Sequence, residues 1–392
     1  MNTVATKKTK WGFKKIVGLA HLWLGLASGI IVVFLGTTGC MLAFEHEIRS
    51  VTEPYANVAV QDKPYLPPSV LKAAAEKHLN GNTAKGVEYP GKGKAAIASY
   101  YDEENYQLVY LDPYTAQTLK VKNMNRDFFR VIINGHFYLW LPPTIGQPIV
   151  ASATLIFLVM MITGLILWWP KNRAARKQRF SVKWNAKWRR VNYDLHNVLG
   201  FYMTWVAIFI AVTGLVWGFQ WFARSVYWIS SGGETMVEHV HPVSDTTQTS
   251  GMNVMDLVWK KHTPGVGERE SLGVYFPSSN TDPVEVAVNH RPGTYYNADY
   301  YHYDQYTAKE LPATGSYAGK FSEAAIADKI VRMNYDIHVG AVLGLPGKII
   351  AFCASLIAAS LPITGFYIWW GRRKKKKAET AKATGRTEAV LA

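Results

Sequence analysis

The sequence predicts a membrane α-helical protein: four main transmembrane helices in two parallel span–domain–span repeats, with an α+β domain in each large outer loop. Three observations carry this. Four apolar tracts each reach the ~20 residues that a bilayer core requires. Lysine and arginine bunch at one set of tract ends. Short motifs return at offsets of 175 and 202 residues.

Residues 1–15 form a basic N-terminus with five lysines, and a first span follows over 16–46. The span far exceeds a signal-peptide core and ends in Phe-Glu-His-Glu, without a small-residue cleavage site. A first outer domain, 50–125, is expected to hold a helix at Val70–Leu79. Period-two alternation places strands at Ala95–Tyr101 and Tyr106–Leu111. An interfacial helix at 126–145 leads to the second span, 146–170. The loop 171–193 carries nine Lys or Arg and no acid. The third span covers 194–224. A second outer domain, 225–320, repeats the order of the first, with a helix at Val254–His262 and strands at Val284–His290 and Tyr300–Tyr303. An interfacial helix at 321–345, a fourth span at 346–371 and a basic tail at 372–392 follow. The basic segments orient both termini and the 171–193 loop toward the cytoplasm and the two large loops outward. Trp168-Trp169 and Trp369-Trp370 fit an aromatic belt.

The chain has 392 residues, is 49% hydrophobic and carries a net charge of +15. Residues 1–15, 171–193 and 371–392 hold +20, leaving −5 for the remainder. The charge is therefore a topology signal, and no nucleic-acid partner is expected. Two cysteines, Cys40 and Cys353, give neither a disulfide framework nor a thiolate metal site. No C-x-x-C-H sequence occurs, which excludes covalently attached c-type haem. No G-x-G-x-x-G follows a strand, so any electron donor is external.

Internal symmetry points to the candidate site. His21 to Gly25 matches His196 to Gly200, and Thr38-Gly39 matches Thr213-Gly214. Asp112-Pro-Tyr-Thr-Ala matches Asp304-Gln-Tyr-Thr-Ala. Thr163-Gly164 matches Thr364-Gly365, while Arg130, Asn134 and His136 match Arg332, Asp336 and His338. Two repeat-related histidine pairs thus fall at opposite membrane faces: His21 with His196, and His136 with His338. An ionisable side chain in or beside a span is a functional hypothesis by default. Two imidazoles with no carboxylate or thiolate nearby suit haem iron, whose macrocycle supplies four nitrogens, better than four-ligand zinc. Gly25 and Gly200 lie one turn beyond His21 and His196, where a flat macrocycle or a neighbouring helix approaches closely. Arg130 and Arg332 suit haem propionates or an interfacial position. Asn134 and Asp336 are candidates to orient the ligands. His46 is an alternative outer ligand, although its counterpart in the second half is Trp221. His78, His239, His241, His262, His290 and His302 fall in the outer domains and are read as surface or structural residues.

The His-x-x-x-Gly…Thr-Gly helices, the Asp-x-x-Thr-Ala strand ends and the Thr-Gly-x-x-x-Trp-Trp exits resemble the PepSY-associated transmembrane helix family, from about Lys14 to Arg373. The resemblance implies PepSY-like outer domains in the periplasm and a bacterial inner-membrane location. It further implies two non-covalent b-type haems, one toward each face, with His21, His196, His136 and His338 as axial ligands. The implied activity is that of a ferric-siderophore reductase acting on siderophore-bound iron or another ferric chelate. The electron donor and the substrate contacts stay unassigned. Two other readings stay open: a non-enzymatic PepSY membrane protein that binds a periplasmic partner, and a haem or metal transporter. The uncharged middles of the second and fourth spans weigh against the transporter.

Overall fold

The computed structural model describes residues 12–170, 172–249 and 252–391; the basic stretch 1–11, Lys171, 250–251 and Ala392 lie outside the described residues. The helices are α1 (Phe13–Ala43), α2 (Glu45–Thr52), α3 (Pro68–Glu76), α4 (Phe128–Tyr138), α5 (Pro143–Trp168), α6 (Arg173–Arg179), α7 (Trp188–Gly218), α8 (Gln220–Ser231), α9 (Val254–His262), α10 (Ile326–His338) and α11 (Gly344–Leu391). The strands are β1 (Gly86–Tyr89), β2 (Ala96–Tyr101), β3 (Tyr106–Leu111), β4 (Thr118–Asn123), β5 (Ser271–Tyr275), β6 (Val284–Asn289), β7 (Ala298–Tyr303) and β8 (Glu310–Leu311). The chain divides into two compact units. One gathers residues up to Cys40, His136–Gly218 and those from Ile349 onward; the other holds Met41–Gly135 and Phe219–Lys348.

Among the described residues, four helices are long and apolar enough to cross a membrane: Phe13–Ala43, Pro143–Trp168, Trp188–Gly218 and the segment Ala341–Lys374. Ile30 is 81% and Phe209 62% exposed on them, an arrangement that water would penalise and lipid favours. The third span differs from the expected 194–224. It starts at Trp188, where Arg190 pairs with Asp194 at 2.8 Å one turn on. It stops at Phe219, whose extended backbone (φ −137°, ψ 120°) separates α7 from α8. Phe44 (φ −112°, ψ 21°) separates α1 from α2 without an extended residue, and Ala43 and Gly218 stand 175 residues apart. Each break turns the chain out of its span at the same point of the repeat.

The spans approach through small residues. A Cβ on Gly36 of α1 would sit 2.7 Å from the Ser355 carbonyl and 2.9 Å from the Ala359 Cβ of α11. Met161, Met203, Ala207, Ala211, Ala354 and Ala358 fill the middle of this unit. Where lipid solvates the outside of each helix, such close backbone approach is the available source of packing energy.

The second unit is built on one sheet. Its eight antiparallel strands run β4-β3-β2-β1-β5-β6-β7-β8. Each large loop contributes one core helix, α3 or α9, and a four-strand meander. The meanders join at β1 and β5, with Gly86 opposite Tyr275 and Tyr89 opposite Leu272. Two separate outer domains were the expectation; β1 and β5 instead pair, and a single core covers the joint. Leu71, Ala75 and Leu79 pack from one side and Val254 and Val258 from the other, over Val87, Val109, Val274 and Val286. Ser69 also donates to Asp256 through its backbone N–H at 3.0 Å, tying α3 to α9. Burial alternates along β6 as period two requires, leaving the opposite sheet face to Glu285 and its neighbours.

The Asp-x-x-Thr-Ala motifs are hairpin turns. The Asp112 Oδ1 accepts from the backbone of Tyr114 and Thr115, and the Asp304 Oδ1 from Tyr306 and Thr307. Ala116 and Ala308 then take left-handed backbones, φ 58° and 59°. The aspartate satisfies the turn's N–H groups, which offsets the roughly 1 kcal/mol that a non-glycine residue costs there.

Candidate functional site

A cavity of about 430 Å³ opens inside the membrane unit. Both His21 and His196 line it, with Gly25, Gly29, Gly164, Gly200 and Gly365, the apolar side chains of Phe157, Met160, Phe201 and Phe366, and Trp168 and Trp369. Its size is that of a cofactor site. The glycines keep its wall free of Cβ atoms: one on Gly25 would meet the Met160 Cε at 2.8 Å.

The two imidazoles are held alike. His21 Nδ1 lies 2.9 Å from the Thr163 Oγ1, and His196 Nδ1 lies 2.9 Å from the Thr364 Oγ1. Each threonine hydroxyl has its proton committed to its own helix. Thr163 donates to the Val159 or Met160 carbonyl, and Thr364 to Ser360 or Leu361. The hydroxyl oxygen therefore accepts from the histidine, which puts the ring proton on Nδ1 and leaves Nε2 its lone pair. The glycine after each threonine makes room for the ring. The ideal Cβ of Gly164 is 3.4 Å from the His21 Cε1, and that of Gly365 is 3.3 Å from the His196 Cε1. The recurring Thr-Gly pair is thus a histidine seat. A third copy holds His136 of α4, whose Nδ1 lies 2.8 Å from the Thr38 Oγ1 beside Gly39.

Neutral, pre-oriented imidazoles in an apolar cofactor-sized slot are what a haem iron or another imidazole-binding metal group requires. Arg179 and Arg372 also line the cavity. The Arg179 guanidinium donates to the Asn197 Oδ1 at 3.0 Å. Neither arginine stands out in sequence, because both sit in basic runs that read as topology signals. Thr163 and Thr364 were visible as repeat markers without their role.

The remaining candidates are placed as follows. His136 belongs to the membrane unit and is half-buried. His338, the last residue of α10, belongs to the second unit and is half-buried there. His46 is exposed on α2 in the second unit. Arg130 and Arg332 are not equivalent. Arg130 is exposed and lies 5.4 Å from the Tyr106 ring centre. Arg332 is 2% exposed and donates to the carbonyls of Ser316, Ala298, Gly319 and Ala318. Three of those carbonyls belong to the 315–319 turn and one to β7, so the guanidinium is committed to buried backbone and not, as expected, to propionates. Asp336 is likewise engaged elsewhere, accepting from the backbone of Tyr295 and Tyr296 at 2.9 and 2.8 Å. Burial raises its pKa against those two bonds. The histidines seated by threonines are His21, His196 and His136. Asn134 is exposed.

A family model for the PepSY-associated TM region matches residues 19–372. The chain belongs to the PepSY-associated TM family. No curated protein matches it. For this PepSY-associated TM protein, the match extends from just before His21 to Arg372 and so takes in the lining of the cavity apart from Gly18.

Proposed function

We propose that this membrane protein is a di-haem reductase that carries electrons across the bacterial inner membrane to ferric iron, siderophore-bound, at the periplasmic face. The observation that carries the proposal is the pair His21 and His196, each seated by a Thr-Gly and both opening on one apolar cavity. Bound at both faces, haem supplies the one-electron couples that move charge across the bilayer.

The protein's own residues do the rest. His21 and His196 would hold the haem iron at the cytoplasmic face through Nε2, with their threonines fixing tautomer and ring angle. Arg179 and Arg372, which line the same cavity, would neutralise its propionates. The apolar and aromatic wall excludes water and makes room for the porphyrin. His136 and His338 are the proposed ligands at the periplasmic face, with His46 as the alternative. Reduction needs no protein acid, base or nucleophile: Fe(III) is bound tightly by hard oxygen donors and Fe(II) far less, so one electron frees the metal. The termini and the 171–193 loop are cytoplasmic in this reading, and the sheet unit is periplasmic, where the chelate arrives.

The test is spectroscopic, then kinetic. A pyridine haemochrome assay should give two haems per chain. Stopped-flow mixing of dithionite-reduced protein with ferric chelates should reoxidise both. Haem-free protein that still binds a periplasmic partner would instead favour the non-enzymatic reading, and haem content with no chelate reduction would favour transport.

A further inference from the structure

We propose a second metal site, unrelated to the cavity, on the sheet unit: a divalent first-row transition ion held by His239, His241 and His302. One nitrogen from each of the three rings lies within 4.8 Å of the others. The ring centres of His239 and His241 stand 4.3 Å apart, and each is 6.2 Å from that of His302.

The three come from different places. His302 is on β7, directly opposite Glu285 of β6 in the register. His239 and His241 are two residues apart on the extended segment between α8 and α9, so both can face the same strand. Two of the rings are already oriented as metal-binding histidines are. His239 donates from Nδ1 to the Thr314 carbonyl at 2.9 Å. The His241 Nδ1 faces the Glu285 Oε1 at 3.1 Å. Each bond leaves Nε2 as the lone-pair nitrogen, one through a carbonyl and the other through a carboxylate. The third ring supplies the independent observation. His302 is 4% exposed, its Nδ1 has no hydrogen-bond partner among the described residues, and its Nε2 is 3.8 Å from the Glu285 Oε1. A ring nitrogen buried without a partner is costly, and His302 is the member of the cluster that carries that cost.

Three imidazoles with no thiolate select zinc, copper, nickel or iron over calcium or magnesium. Ligands at the Zn–N distance in a tetrahedron stand about 3.3 Å apart, so nitrogens within 4.8 Å of one another close by no more than about 1.5 Å on binding. His239 and His241 are exposed and free to do so. Water completes four-coordination. The bound ion would pin the 234–244 segment to the sheet.

The experiment uses tag-free full-length protein in detergent, stripped with EDTA and titrated with ZnCl₂ by calorimetry. One equivalent should bind. His239→Ala and His241→Ala should each weaken it at least tenfold, and the double variant should abolish it. These residues are exposed, so folding should survive and circular dichroism should confirm it. His78→Ala, at a ring bonded to Thr118 on the other meander, should bind as the wild type does. Co²⁺ should give the intense visible bands of a tetrahedral nitrogen site, lost in the double variant. Wild-type protein that binds no zinc, or a double variant that binds as tightly as the wild type, would overturn the assignment. Haem content does not enter the readout.

Discussion

Thr364→Val tests the histidine seat directly. Valine keeps the shape of threonine and removes the oxygen that accepts from His196 at 2.9 Å. The cost has two parts. The imidazole N–H is left without its acceptor in an apolar setting, worth about 1–3 kcal/mol. The ring also loses the bond that fixes its tautomer, and loss of such a supporting bond typically weakens a metal ligand set about 10- to 100-fold. The two ranges overlap, since each 1.4 kcal/mol is tenfold. The threonine's bond to its own helix goes as well, which Thr154→Val controls for. Thr154 donates to the Val150 carbonyl at 2.8 Å and has no histidine beside it. The assay is titration of haem into apoprotein, followed at the Soret band. Thr364→Val should bind the cytoplasmic-face haem 10- to 100-fold more weakly, and Thr154→Val within about twofold of wild type. Equal weakening by both, or by neither, would refute the claim that the threonine orients the ligand.

Three further outcomes are expected. Arg332→Ala should destabilise the protein by about 3 kcal/mol or more in thermal unfolding, because four carbonyls lose a buried guanidinium donor, while haem content stays unchanged; haem loss without destabilisation would restore the propionate role. Gly146→Ala and Gly347→Ala should each impair folding, since a Cβ would come within 2.0 Å of the Tyr138 carbonyl oxygen and 2.1 Å of that of Gly340; normal expression and melting of both variants would contradict this. At the β6–β7 turn, burial lowers the His290 pKa, but bonds to Asp299 and Glu270 outweigh it and the net shift is upward. The stabilisation is therefore full below the unfolded value of about 6.5 and is lost as pH rises through the higher folded value. Melting between pH 6 and pH 9 should show this loss, and His290→Asn should remove that part of the slope.

The spans were legible because lipid demands length and apolarity, and both are written in consecutive residues. The histidines at 21 and 196 were legible for the same reason, as costly groups in apolar tracts at one offset. Other features depend on contacts between distant segments. The joining of β1 to β5 pairs residues almost two hundred positions apart, and nothing in Gly86 or Tyr275 alone announces it. Arg332 read as a cofactor ligand because it matches Arg130 in sequence. Its burial under a turn from the same loop could not be seen. His239, His241 and His302 looked like scattered polar residues because the strand register that gathers them is a tertiary fact.

The β1–β5 joint also bears on how the protein is made. While only the first 225 or so residues have been synthesised, β1 has its hydrogen bonds to β2 on one side and nothing on the other. That side is an open template for any extended chain. It closes only when the second loop arrives, so long-range pairing has to wait for two more spans to insert. The joint is antiparallel, so two copies of the first loop could meet through β1 in a similar way, in a self-complementary twofold contact. The first half alone is thus set to dimerise or aggregate, and the second half occupies the edge through which it would do so.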